Sequence, residues 1–387
     1  MTGSPRELDG DSMPPRVDEY MYAVPAKIPH RLRRGGRSRP SVAKPLTYAG
    51  AGVDPDAVRK ALRGLLRAAR APAVRGYGRP LLGPGHFSGL LQVGKERLAL
   101  TTDNVGTKVL LAEQLGSWEG VGEDVVGVNV NDLSAVGARP LALLDYLMLP
   151  RPEPKLLEAI GKGIGRGIRR AMCALVGGET AIVPELVQTP DLSGTALGYF
   201  PPGRSPLTGR SIRVGDVLVG IPSSGVHANG FTLVRRLLQR ARTPLDRPLP
   251  GERIPFGKAL LRPTRIYTPA AEALLDRHLA QGLAHITGGG VRNLSRLHPS
   301  VEFTLESWPR ARGVFEWVAE TSRLPPKELF QTFNMGIGFV AAVRRKDLPA
   351  ALGTLAGAGA RDATVVGRVS PGRGVRLPSL GIRYERY

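Results

Sequence analysis

From Arg97 onward, strand-like and helix-like stretches alternate along the chain, and no other feature narrows its possible folds as far. Residues 97–102 read as a buried strand ending at Asp103. Residues 107–115 and 123–137 carry helical spacing, 141–147 reads as extended, and 154–172 as helical again. Strands follow at 174–176 and 195–200. Pro201-Pro202-Gly203-Arg204-Ser205-Pro206 breaks the series most sharply and marks a linker. A second unit opens with the strand Val217-Leu218-Val219 and closes with strands near Phe339 and Val365. At 387 residues the chain exceeds the usual single domain, so the pattern predicts two α/β units. No fixed-period repeat runs through it.

The region before Arg97 is different in kind. Asp54-Pro55-Asp56 predicts a helix start, with a carboxylate cap, proline at the first helical position and a second acid near the positive dipole end. Val58, Leu62, Leu65 and Leu66 follow at helical spacing, and loop chemistry then runs from Pro72 to Phe87. Residues 1–45 are rich in Pro, Arg and Gly without any period, which predicts a disordered basic extension.

Composition excludes several classes. One cysteine, Cys173, rules out an internal disulfide framework and a cysteine-based zinc site. No run of eighteen apolar residues predicts a membrane span. The N-terminus lacks the apolar stretch of a signal peptide, so a cytoplasmic location is expected. The net charge of +21 fits nucleic acid, small phosphorylated substrates or solubility. The first 45 residues hold nine basic and five acidic side chains, so most of the excess lies beyond them. Without a nucleic-acid module or stacking motif, nucleic acid is not expected as the partner.

Four polar clusters carry candidate chemistry. The first, residues 101–108, sits at a strand-to-helix junction. Gly106, Thr107 and Lys108 there can hold phosphate through amides, a hydroxyl and an ammonium. Asp103 is either a helix cap or a Mg²⁺ ligand. The second, Asn129-Val130-Asn131-Asp132, lies in an apolar helix and is either a hydrogen-bonded packing contact or a source of a second metal ligand, Asp132. The third, Gly177-Gly178-Glu179-Thr180, ends a strand either in a tight turn or against a ligand. The fourth, Ser223-Ser224-Gly225-Val226-His227-Ala228-Asn229-Gly230, precedes a helix beginning at Phe231. His227 is either structural or a general acid or base, and Ser224 lacks the flanks of a hydrolase nucleophile.

Taken in order, these clusters resemble the phosphoribosylformylglycinamidine cyclo-ligase family. The likeness runs from Tyr48-Ala49-Gly50-Ala51-Gly52-Val53-Asp54 to about Gly367. It includes Leu261-Arg262-Pro263-Thr264-Arg265-Ile266-Tyr267, His285-Ile286-Thr287-Gly288-Gly289-Gly290 and Thr332-Phe333-Asn334-Met335-Gly336-Ile337-Gly338. Asn129 and Met335 are similar to an archaeal-type branch. Ala49-Gly50, Leu66 and Asn104 depart from the family's usual residues, as does the 83–89 glycine turn.

The resemblance implies a two-domain α/β (α+β) enzyme, with domains at 46–203 and 204–387 and the first domain's sheet forming a barrel across a homodimer. It implies ATP and Mg²⁺ in a cleft lined by Asp103, Gly106, Thr107, Lys108, Asn131, Gly177, Gly178, Glu179 and Thr180, with Asp103 and Asp132 on the metal. A small-molecule substrate, formylglycinamidine ribonucleotide, is then expected against Ser223, Ser224, Gly225, His227, Asn229, Thr287, Gly288 and Gly289. Lys108 and His227 are the expected catalytic side chains. The alternatives are a sister ATP-using enzyme, such as formylglycinamidine ribonucleotide synthetase or thiamine monophosphate kinase, and a basic nucleic-acid-binding scaffold.

Overall fold

One helix, buried nearly all round, organises the first half of the molecule. A computed structural model describes residues 47, 50–51, 55–68, 78–82 and 85–385. The basic extension, the cap at Asp54 and the departure at Ala49 lie outside the described residues, as does the Leu66 side chain. The first half runs α1 (Pro55–Ala68), β1 (Gly78–Pro80), β2 (Gly89–Val93), β3 (Glu96–Asn104), α2 (Lys108–Leu115), α3 (Glu119–Ala135), β4 (Arg139–Leu149), α4 (Pro154–Ala171), β5 (Ala174–Ile182) and β6 (Asp191–Tyr199). Its six strands form one sheet in the order β1-β2-β3-β6-β4-β5, antiparallel except for the parallel β4–β5 pair.

Helix α3 covers one face of this sheet. Val125, Val126, Val130 and Leu133 are wholly enclosed, each worth about 1.5–3 kcal/mol over exposure. A helix buried on every side must also pack closely against its other neighbours. Glycines make that possible against α4: a Cβ on Gly163 would lie 1.9 Å from the Glu119 carbonyl oxygen, and one on Gly122 would lie 2.1 Å from that of Ile160.

The second half runs β7 (Val217–Pro222), α5 (Phe231–Ala241), α6 (Phe256–Leu260), α7 (Thr268–Asp276), β8 (Ala280–His285), β9 (Val301–Leu305), α8 (Val314–Ser322), α9 (Pro326–Thr332), β10 (Ile337–Val343), α10 (Leu348–Gly357), β11 (Thr364–Pro371), β12 (Gly374–Leu377) and β13 (Ile382–Tyr384). Its seven-stranded sheet has the order β13-β12-β9-β11-β7-β10-β8 and one parallel pair, β12–β9. Both sheets are mixed and mainly antiparallel, as an α+β reading expects. Among the described residues, no helix is long and apolar enough to cross a membrane.

Residues 261–267, between α6 and α7, form a strap that bolts the second half onto α3. Thr264 donates to Asp124 Oδ1 through its amide (2.7 Å) and its hydroxyl (2.6 Å). Asn131 donates to the Arg265 carbonyl (2.9 Å) and accepts from the Tyr267 amide (2.8 Å). One expectation is corrected. The strand expected at 174–176 continues through both glycines to Ile182, because the paired β4 carries the ladder past a register shift at Leu143/Leu144.

Candidate active site

Strand ends and helix turns from both halves meet at the junction. Asp103 is the last residue but one of β3, Asp132 lies near the end of α3, and His285 closes β8. His285 Nδ1 lies 2.8 Å from Asp132 Oδ1. Asp103 is exposed at the end of its strand, yet protein packs around it closely enough to desolvate its carboxylate. That crowding, then the charge of Asp132, raises its pKa to about 6. The two expected metal ligands therefore share one field, and His285 joins them although its residue type drew no expectation. The signal was present, since His285 opens the 285–290 motif.

His86, on the loop before β2, lies within the field of Asp132. Burial first, and then Arg296, lower its pKa to about 4, while Asp132 pulls the other way. Its ring stands edge-on to Phe87 at 5.5 Å, and the Arg296 guanidinium lies over that phenyl ring at 5.2 Å.

The register of the first sheet places the third cluster in line with the first. Asp103 pairs with Gly194, Gly194 with Asp145, and Asp145 with Gly178. Asn104, Ser193, Tyr146 and Glu179 make the neighbouring row. Three strand spacings separate Asp103 from Gly178, about 14 Å. Glycine is required at 178, because a Cβ there would lie 2.6 Å from the Asp145 carbonyl oxygen. Gly177 sits at φ 153°, and Glu179 is exposed on the sheet edge beside Thr180.

The fourth cluster is organised by Asn334. Its Oδ1 accepts from the Ser223 hydroxyl and the Gly336 amide, each at 2.9 Å, and its Nδ2 donates to the Gly225 carbonyl at 2.9 Å. The loop at 287–289 abuts this one: a Cβ on Gly288 would lie 3.0 Å from Asn229 Oδ1. Asn293 holds the Thr287 hydroxyl (2.8 Å) and the His285 carbonyl (3.0 Å), and Gly289 is buried behind them. Thr107 joins the first cluster to the fourth through Thr232, at 3.0 Å between hydroxyls, beside Gly106 at φ 65°.

Three expected residues are enclosed by protein. Lys108 is fully enclosed, 2.6 Å from Asp124 Oδ2, and donates to the Arg262 carbonyl at 2.8 Å. Its ammonium lies 5.6 Å from the centre of the Phe231 ring. The strap closes over this group. Asn131 is buried and its amide is committed to the strap. His227 is also buried, at φ 64°, with Nε2 accepting from the Ser224 amide at 3.3 Å. Burial first, then His285, Lys108 and Arg265, hold its pKa well below the ordinary histidine value. A Cβ on Gly338 would lie 2.6 Å from its Cε1, so the imidazole is packed against β10 and does not line the cleft.

Two mixed sheets joined through a polar junction define a class. Residues 85–200 match the N-terminal domain model of the AIR synthase related proteins, and residues 213–378 match the C-terminal one. The fold alone is shared with AaThiL complexed with AMPPCP and TMP (TM-score 0.57, 20% identity, 88% of this chain and 96% of that one). It is likewise shared with the hydrogenase maturation protein HypE of E. coli (TM-score 0.56, 21% identity, 85% and 96%). Sequence relatives narrow the class further. The phosphoribosylformylglycinamidine cyclo-ligase of Thermococcus gammatolerans is 44% identical over 87% of this chain and 99% of its own length. That of Pyrococcus furiosus is 42% identical over 88% and 99%, and that of Methanosarcina mazei 41% over 79% and 90%. The chain belongs to the phosphoribosylformylglycinamidine cyclo-ligase family.

Proposed function

We propose that the chain uses ATP to close formylglycinamidine ribonucleotide into aminoimidazole ribotide, releasing ADP and phosphate. The observation that carries this reading is the meeting of Asp103, Asp132 and His285 at the junction of two domains that match cyclo-ligases over nearly their whole length. An amide oxygen is a poor leaving group. Transfer of the terminal phosphoryl of ATP to the formyl oxygen makes it a good one, an amidine nitrogen then attacks that carbon, and the C–O bond breaks with departure of phosphate. Positioning and electrostatics dominate such transfers.

The residues fit a Mg²⁺ ion. Two carboxylates whose charges oppose each other form an oxygen donor set that a hard cation neutralises. Among the described residues, no group of three or more His, Cys, Asp or Glu forms a ready-made cage. A Mg²⁺ ion takes the rest of its shell from phosphate oxygens and water. Asp103 and Asp132 would hold it, and its charge would offset that on the transferred phosphoryl. His285 orients Asp132, the row from Asp103 to Gly178 supports the nucleotide, and the 223–230 and 287–289 loops receive the substrate. Lys108 and His227 act by positioning: Lys108 fixes the strap, and His227 shapes the Ser223-Ser224 turn.

The chain works as a homodimer in this reading. Leu100, Leu144 and Tyr146 stand on the sheet face away from α3, each more than two-fifths exposed. A contiguous apolar face of this kind is covered most simply by a second copy. The test of function is ADP and aminoimidazole ribotide measured together from Mg²⁺-ATP and formylglycinamidine ribonucleotide. Equal amounts support the reading, and a folded protein that yields neither overturns it.

A further inference from the structure

Behind the strap lies a second polar cavity, of about 670 Å³, between α4 and the turn that follows α10. Its walls carry Arg166, Arg170, Arg262 and Arg265, with Glu123 the only lining carboxylate. The size is that of a small-molecule site. Asp103, Asp132 and His285 do not line it, and the one residue shared with the expected substrate loops, Ser224, turns its hydroxyl onto the Pro263 carbonyl at 2.5 Å.

The arginines are not all neutralised. Arg166 meets Glu119 at 2.7 Å and Glu123 at 3.4 Å, Arg170 meets Glu123, and Arg265 meets Asp362 at 2.8 Å. Four guanidiniums thus face three carboxylates, and the excess charge is on Arg262. That side chain is exposed, and its guanidinium has neither a hydrogen-bond nor an ion-pair partner among the described residues. Its backbone, by contrast, is fixed, because its carbonyl accepts from the buried Lys108 and the next residue but one, Thr264, is tied to Asp124. A held base with a free planar fork suits bidentate binding of a tetrahedral oxyanion.

We propose that this cavity is a second anion site, separate from the catalytic junction, which takes a small molecule bearing a phosphate or pyrophosphate group, with Arg262 as its principal contact. The Arg166 and Arg170 guanidiniums, each partly exposed, offer further N–H groups to the same anion.

Calorimetric titration of pyrophosphate into the full-length protein tests the proposal, with the junction first saturated by Mg²⁺ and a non-hydrolysable ATP analogue. A binding event persists, weakens about tenfold or more in Arg262→Ala, and is lost in Arg262→Glu. Arg262→Lys, which keeps the charge and loses the fork, falls between Arg262→Ala and the native protein. Unchanged circular dichroism and ring-closing rate in each variant show that the fold is intact. Disappearance of the event once the analogue is bound, or equal affinity in Arg262→Glu, overturns the second site.

Discussion

Removing one partner of the Lys108–Asp124 pair should unfold this protein more readily, and removing both charges should restore much of the loss. Both side chains are fully enclosed, and Nζ lies 2.6 Å from Oδ2. A buried ion left without its partner costs about 3–5 kcal/mol. Lys108→Met belongs at the lower end of that range, because the stranded carboxylate keeps two donors from Thr264. In Asp124→Asn the stranded ammonium keeps only the Arg262 carbonyl and the face of Phe231, which places it higher. In the double variant no charge is buried, and the Asn oxygen still accepts from Thr264. Its cost should be about 1–2 kcal/mol, less than either single change. Urea unfolding followed by circular dichroism and tryptophan fluorescence measures all three, and coincident transitions license the comparison. Additive costs would refute the buried-pair account. So would a Lys108→Met protein as stable as the native one but unable to close the ring, since that would return the lysine to the chemistry.

Three other outcomes are expected. Asp103 takes up its proton near pH 6 rather than in the usual carboxylate range, so KM for Mg²⁺-ATP should rise as pH falls from 7 to 5; a flat profile in steady-state kinetics would dissociate Asp103 from the metal. Gly163→Ala should destabilise by about 1–3 kcal/mol or more, because its Cβ meets backbone at 1.9 Å. Gly161→Ala on the same helix has nothing within 4 Å and should be neutral or slightly stabilising, and melting curves of the two variants compare them directly. Leu144→Arg should yield a folded monomer by light scattering; a dimer that survives this change places the interface elsewhere.

How far the site could be read from residues alone depends on how distant each side chain's partner is. The end of β3 within a residue of Asp103 and the Gly106–Lys108 helix start were legible because strand ends and helix starts are local events. The strand end expected before Gly177-Gly178 was not, since pairing with β4 carries β5 on to Ile182. The cluster at 129–132 was not resolvable in the same way. Successive helical residues turn by about 100°, so neighbours in one motif face different surroundings. Asn129 turns to the backbone of Val125 and Asp103, Asn131 to the strap, and Asp132 to His285. Within four residues, then, Asn129 and Asn131 make packing contacts while Asp132 faces His285 at the junction. Lys108 shows the same limit more sharply. Its position at a phosphate-ready helix start is a local fact, but the strap that encloses it begins more than 150 residues later. Only the docking of the second domain decides that this ammonium is an internal bolt, and the same docking leaves the neighbouring Arg262 guanidinium free on the other side of the strap.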